Sequence, residues 1–303
     1  MNAAAESSAL LSPAVLSKIG DLDLLSLHVV DGFLSGKHRS THKGGCFEFA
    51  EHRPYTPGDE TRLIDWRVFA KSDRYYVKQF DEETNLQALM VIDASGSMQF
   101  GMKDLSKLDY ARTACACLSR LLLRQRDAVG LALFDSKLRQ FIPPRSNASH
   151  LQPLLQALIR VSAGGDASLS NDLHDIAKRL KRRGLIVIFS DCFGDLDRLS
   201  TALHRLRLRG HDVLVFHTMA PEERTFPFSR WSRFECLEVG GFHVDLDPAV
   251  VRRRYLERLD DFLRELQRVC AKTGCDYVPL STDADLGDVL AHYLSRRAAR
   301  FKR

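Results

Sequence analysis

The stretch Asn85–Met98, NLQALMVIDASGSM, decides how this chain reads. Its apolar run, Ala88-Leu89-Met90-Val91-Ile92, has the length of a strand buried on both faces, and it stops abruptly at Asp93-Ala94-Ser95-Gly96-Ser97. A buried parallel strand delivers Asp93, Ser95 and Ser97 to its carboxyl end, where open α/β sheets place their ligand sites. The three oxygen-bearing side chains alternate with a small residue and a glycine, so the loop can curl and aim them at one point. Hard oxygen donors of this kind suit Mg²⁺, Mn²⁺ or Ca²⁺.

Downstream of this loop, strand and helix patterns alternate. A helix with an apolar face over Leu108–Arg126 leads to a strand, Ala128–Phe134, and then to an extended piece, Leu138–Ile142, which Pro143-Pro144 is expected to close off. His150–Val161 reads as helical, and the segment from Ala163 turns back into another helix through Leu180. LIVIF, residues 185–189, is a second buried strand ending at Ser190-Asp191. A helix over Leu196–Arg209 and a strand over Asp212–His217 continue the βαβ pattern. Further on, Cys236-Leu237-Glu238-Val239 reads as a strand after an irregular stretch. Ala249–Lys272 is a long helix capped at Asp247-Pro248, and a strand at Cys275–Leu280 precedes a last helix, Leu286–Ala298. The chain ends in a short basic tail.

The composition is that of an ordinary globular protein, with 45% hydrophobic and 27% charged residues in 303. The net charge of +5 arises from many charges of both signs and gives no nucleic-acid footprint. Seven cysteines are scattered without CxxC spacing, which favours free thiols over a disulfide framework or a zinc site. The first residues lack a basic leader ahead of an unbroken apolar core, and no apolar run approaches the ~20 residues needed to span a bilayer. A cytoplasmic protein without a membrane span is expected.

Upstream of the central strand, residues from about Ser12 to Leu34 carry apolar positions at helical spacing. A basic, glycine-bearing stretch follows, and then Phe47–Trp66, in which Pro57-Gly58-Asp59 signals a turn. Arg53, Asp59, Arg62 and Asp65 are placed to satisfy one another while Tyr55, Ile64 and Trp66 pack, which would clamp the segment onto the following domain. The alternative is that Arg53, Tyr55, Asp59, Arg62, Asp65 and Trp66 form a partner-docking surface. Arg74–Phe80 alternates as a strand.

The Asp-x-Ser-x-Ser of Asp93, Ser95 and Ser97 resembles the metal-ion-dependent adhesion site of the von Willebrand factor A family. The wider string is Gly45, Glu48-Phe49, Arg53-x-Tyr55-x-x-Gly58-Asp59-x-x-Arg62-x-Ile64-Asp65-Trp66, then a strand, an acidic turn and Asp-x-Ser-x-Ser. It resembles the family named domain of unknown function 58, which joins this signature to a von Willebrand A-like domain. The resemblance implies two further loops around the metal. One would bring an Asp, here Asp191, and the other a Thr, at whose place this chain has Ala167, with Ser168 beside it as a substitute. It also implies a MoxR-type AAA+ ATPase as collaborator.

The expected architecture is therefore α/β: a doubly wound, mostly parallel, von Willebrand A-like domain over residues 85–303. Residues 1–84 form a helical and extended elaboration that packs on it. The expected function is a non-enzymatic protein-interaction module. A Mg²⁺-assisted site at Asp93, Ser95, Ser97, Asp191 and Ser168 would receive an acidic partner residue, and the missing Thr would weaken metal binding. The alternative is a Mg²⁺-dependent hydrolase using the same residues. Against it, Ser95 stands where a haloacid-dehalogenase-type phosphotransferase wants Asp, and neither Ser95 nor Ser97 has the flanking glycines of a hydrolase elbow.

Overall fold

In the computed structural model, Ala88–Ile92 is the interior of a six-stranded sheet and is fully buried. The structure describes residues 47–56, 64–82, 86–101, 105–165, 182–238 and 241–290, together with 173, 175, 176 and 178–180. The helices expected near Ser12–Leu34 lie outside the described residues, as does all but the first turn of the last one.

Strand β1 (Phe47–Pro54), helix α1 (Trp66–Ser72) and strand β2 (Tyr76–Glu82) come first. β1 and β2 pair antiparallel with a bulge at Phe49/Glu51. Then follow β3 (Gln87–Asp93), α2 (Lys107–Arg124), β4 (Ala128–Phe134), β5 (Leu138–Arg145), α3 (Leu151–Arg160) and β6 (Leu185–Ser190). The chain continues through α4 (Leu196–Leu208), β7 (Asp212–Met219), α5 (Pro221–Thr225), β8 (Ser232–Glu235), β9 (His243–Leu246), α6 (Pro248–Thr273) and β10 (Asp276–Ser281). The main sheet has the order β10-β7-β6-β3-β4-β5, with every pair parallel except β4–β5. This is the doubly wound arrangement expected from the alternating pattern.

Alternation along β3 sorts the core onto two sides. Ala88, Met90 and Ile92 join Leu118, Leu154, Leu158, Phe189 and Phe216 on the α2/α3 side. Leu89 and Val91 join Ile188, Leu203, Leu266 and Val269 on the α4/α6 side. A strand apolar at every position is what two helical layers require.

Three expectations need correction. β5 does not stop at Pro143-Pro144 but runs through both to Arg145; it is an edge strand, where a missing N–H on the open side costs no ladder bond. Val239 lies outside the described residues, and Cys236–Glu238 is not a strand. It lies in the turn region between β8 and β9, which pair as a separate antiparallel hairpin. Trp66 does not pack inward: it is 59% exposed at the start of α1, touching only the edge of the Phe69 ring among the described aromatic contacts. Asp65 caps α1 through the backbone N–H groups of Arg67 and Val68, and the side chains of its expected partners Arg53 and Arg62 lie outside the described residues.

Gly130 in β4 faces the bulged part of β5. A Cβ there would lie 2.7 Å from the Ile142 carbonyl oxygen and 2.8 Å from the Pro144 nitrogen, both backbone atoms. Gly130→Ala is therefore expected to cost about 1–3 kcal/mol, read as a lower urea midpoint with an unchanged slope.

Candidate functional site

Chain direction reverses between β3 and β6. The chain leaves β3 toward β4 and β5 and later returns to pair β6 on the other side of β3. The carboxyl ends of these two neighbours flank the crevice where doubly wound sheets bind ligands. Asp93 ends β3, and Ser190 and Asp191 end β6, so the two carboxylates predicted from sequence come together here, each at most 1% exposed.

The loop after β3 is fixed by backbone bonds to both neighbours. Ala94 donates to the Phe134 carbonyl at 2.7 Å, Gly96 to that of Gly165 at 2.9 Å, and Gly164 to that of Ala94 at 2.9 Å. Arg139 also holds the segment after α3, donating to the carbonyls of Ser162 and Gly164 while paired with Asp135. Within the loop, Ser95 N–H donates to Asp93 Oδ1 at 2.9 Å, and the Ser95 and Ser97 hydroxyls lie 3.1 Å apart. Ser190 Oγ donates to Asp93 Oδ2 at 2.6 Å and accepts from Cys192 N–H at 2.8 Å. Burial first, and the nearby Asp191 charge second, push the Asp93 carboxyl up to about 7 despite these bonds.

Sequence reasoning missed the cation at this site. Lys107, the first residue of α2, is 0% exposed, and its ammonium donates to Asp191 Oδ2 at 2.7 Å and to Glu223 Oε1 at 2.6 Å. The rings of Phe193 and Phe100 flank it, with centroids at 5.1 and 5.9 Å. Burial alone would lower the Lys107 pKa, but the two carboxylates reverse that and hold it raised. Glu223 sits in the one-turn α5, accepts from Ala220 N–H at 2.8 Å, and has its carboxyl raised by burial in spite of Lys107. Behind Asp191, His217 bonds the Asp191 carbonyl and the Tyr277 hydroxyl, each at 2.9 Å; burial pushes it down to about 4, which leaves it neutral. The one available signal for Lys107 was its position, because a lysine in a first helical turn opposes the helix dipole.

The donor set fits a hard divalent cation. Asp93 and the converging Ser95 and Ser97 hydroxyls are oxygen ligands of the right kind. If Asp93, Asp191 and Glu223 are all ionised, their charge exceeds that of Lys107 by two. Ser168 and Ala167 of the second loop lie outside the described residues. Of the proposed docking residues, Asp59 and Arg62 also lie outside them, and Arg53 is placed only by its backbone pairing with Val77. Tyr55 meets Tyr75 at a ring separation of 6.2 Å, while Asp65 and Trp66 stand at the start of α1.

Replacing Lys107 by Met leaves two buried carboxylates facing each other without a cation, and is expected to cost ~3–5 kcal/mol in denaturant titration. The sign with pH follows from Glu223. A carboxyl raised in the folded state contributes stability below its unfolded pKa and loses it as pH rises. The deficit of the Met variant is therefore expected to be larger at pH 8 than at pH 5.

Comparison with known proteins adds a family. A family model described as "Protein of unknown function DUF58" matches residues 51–261. An uncharacterised protein of Mycobacterium tuberculosis is 27% identical over 299 residues, covering 94% of this chain and 90% of that one. Two solved structures are also similar. The conserved hypothetical protein BatB from Bacteroides thetaiotaomicron has 15% identity and a TM-score of 0.46, over 71% of this chain and 99% of that one. The SpRpn10 von Willebrand A domain has 11% identity and a TM-score of 0.41, over 68% and 94%. With the family model matching well over half of its length, this chain belongs to the DUF58 family.

Proposed function

We propose that this protein is a non-enzymatic interaction module whose partner docks at the carboxyl ends of β3 and β6, assisted there by Mg²⁺. The observation that supports this most is the convergence of Asp93, Ser95 and Ser97 beside Asp191 at the point where the sheet reverses direction. Asp93, Ser95 and Ser97 would hold the ion, and Asp191 would add its charge from the neighbouring strand. A cation bound mainly by neutral hydroxyls stays electrophilic and attracts an incoming Asp or Glu carboxylate. The residues of the chain supply position and charge: Ser190 orients Asp93, and Lys107 holds Asp191 from behind.

The proposed partner is the MoxR-type AAA+ ATPase that the family resemblance implies, with the Arg53–Trp66 segment as additional docking surface. No described helix is long and apolar enough to cross a membrane, consistent with the proposed place of action in the cytoplasm.

Calorimetric titration of chelator-treated protein with MgCl₂ is expected to give saturable binding that Asp93→Ala abolishes. Capture of the purified ATPase is expected to fall with the same substitution and with EDTA. Capture that persists unchanged in both conditions would refute the metal-assisted reading.

A further inference from the structure

A second surface forms where β8 and β9 meet α5 and the start of α6. The rings of Phe226, Phe228, Phe234 and Tyr255 pack at centroid separations of 4.6 to 5.9 Å. Phe226, Phe234, Leu246, Val251 and Tyr255 nonetheless line a cavity of about 420 Å³, within the range of ligand-sized pockets. Two exposed arginines, Arg254 and Arg258, complete the lining. With Val251 and Tyr255 they follow the i, i+3, i+4, i+7 spacing of one helix face.

The apolar surface extends past the cavity. In the hairpin register Phe234 opposes Val244 and Ser232 opposes Leu246, so Phe234, Val244 and Leu246 share a face, whereas Arg233 pairs with Asp245 on the other. Val244 is 42% exposed although it lies on that apolar face. Phe242 accepts from Cys236 N–H, which adds one pair to the ladder, and by alternation it falls on the same side at 61% exposure. Val250, in the first turn of α6, is 78% exposed. This exceeds what one small molecule covers, and it suits an extended chain with an anchor side chain in the cavity.

Charge identifies the occupant. Arg253, Arg264 and Arg268 of α6 pair with Glu257, Asp261 and Glu265, and Arg252 donates to the carbonyls of Thr225 and Phe226. Among the described residues no carboxylate meets Arg254 or Arg258, the two that face the cavity. An apolar cavity rimmed by two uncompensated guanidinium groups is complementary to carboxylates. We infer that the α5–β8–β9–α6 surface binds a peptide segment of a partner protein that places an aromatic or branched aliphatic side chain in the cavity and flanking Asp or Glu side chains on Arg254 and Arg258. The concave form favours a peptide over a bilayer surface, which would meet only the protruding residues. This site does not depend on Mg²⁺ at Asp93.

A phage-displayed random dodecapeptide library panned on the immobilised full chain tests this, with the Arg254→Glu/Arg258→Glu variant as counter-selection. Enriched peptides are expected to carry an aromatic or aliphatic residue flanked by acids. A synthetic representative, followed by fluorescence anisotropy, is expected to bind about tenfold or more weakly to the double variant. Both substitutions lie at exposed helical positions, and the melting temperature is expected to be unchanged. Binding should be the same in EDTA and in Asp93→Ala, so failure here is distinct from failure of the metal site. Absence of enrichment, neutral or basic peptides, or equal binding to the double variant would overturn the inference. So would charge-dependent pelleting with phosphatidylglycerol vesicles without peptide binding, or a dimer in sedimentation that the double variant abolishes, because a membrane or a second copy would then be the occupant.

Discussion

The arrangement of the crevice depends on one buried ammonium. Three carboxylates, Asp93, Asp191 and Glu223, are sequestered at the carboxyl ends of the central strands, and Lys107 is the one lysine buried among them in the described residues. An unpaired buried charge is far costlier than a paired one, so Lys107 fixes where its partners must be. Because it is the first residue of α2, its two short bonds set the start of that helix against the end of β6 and against α5. The α2 capping box, with Ser106 and Asp109 bonding reciprocally, fixes the same helical start from its backbone side. Lys107 pairs with Asp191, whereas Asp93 carries a raised pKa, from its burial first and from the Asp191 charge second.

The sheet makes this convergence possible. β3 is apolar from Ala88 to Ile92 because α2 and α3 cover one face and α4 and α6 the other, so its polar atoms are confined to its ends. The same holds for β6, whose LIVIFS ends in the Ser190 that binds Asp93. Two neighbouring strands with identical constraints must put their polar ends together.

How much of this the sequence disclosed follows from the same logic. The central strands were legible because long apolar runs ending in polar residues leave few alternatives, and Asp93, Ser95, Ser97 and Asp191 were legible with them. Lys107 was not: its partners are 84 and 116 residues away, and a lysine beginning a helix reads as solvated. The β8–β9 hairpin was misjudged for a related reason. Cys236-Leu237-Glu238-Val239 is apolar enough to suggest a strand, but the ladder is made by Ser232–Glu235, before it, with His243–Leu246. Trp66 was misjudged because an aromatic residue after a capping Asp can point either way around α1.

Gly96 shows how position, more than local conformation, dictates a residue. In the sequence it reads as the flexible point that lets the Asp-x-Ser-x-Ser loop curl, yet it is not among the positive-φ glycines. Its lack of a side chain is required by another element: a Cβ would stand 2.0 Å from the Leu237 carbonyl oxygen and 3.0 Å from the Glu238 Cα. The turn region of the β8–β9 hairpin therefore rests directly on the loop that carries Ser95 and Ser97. The strands of that hairpin line the aromatic cavity, and α5, which supplies Glu223 to Lys107, ends at Phe226 with a left-handed cap of φ 45°. The crevice and the cavity thus share a hairpin at one end and a buried ion pair at the other. A shift of either would displace backbone packed against Gly96 or strain the buried Lys107–Glu223 pair.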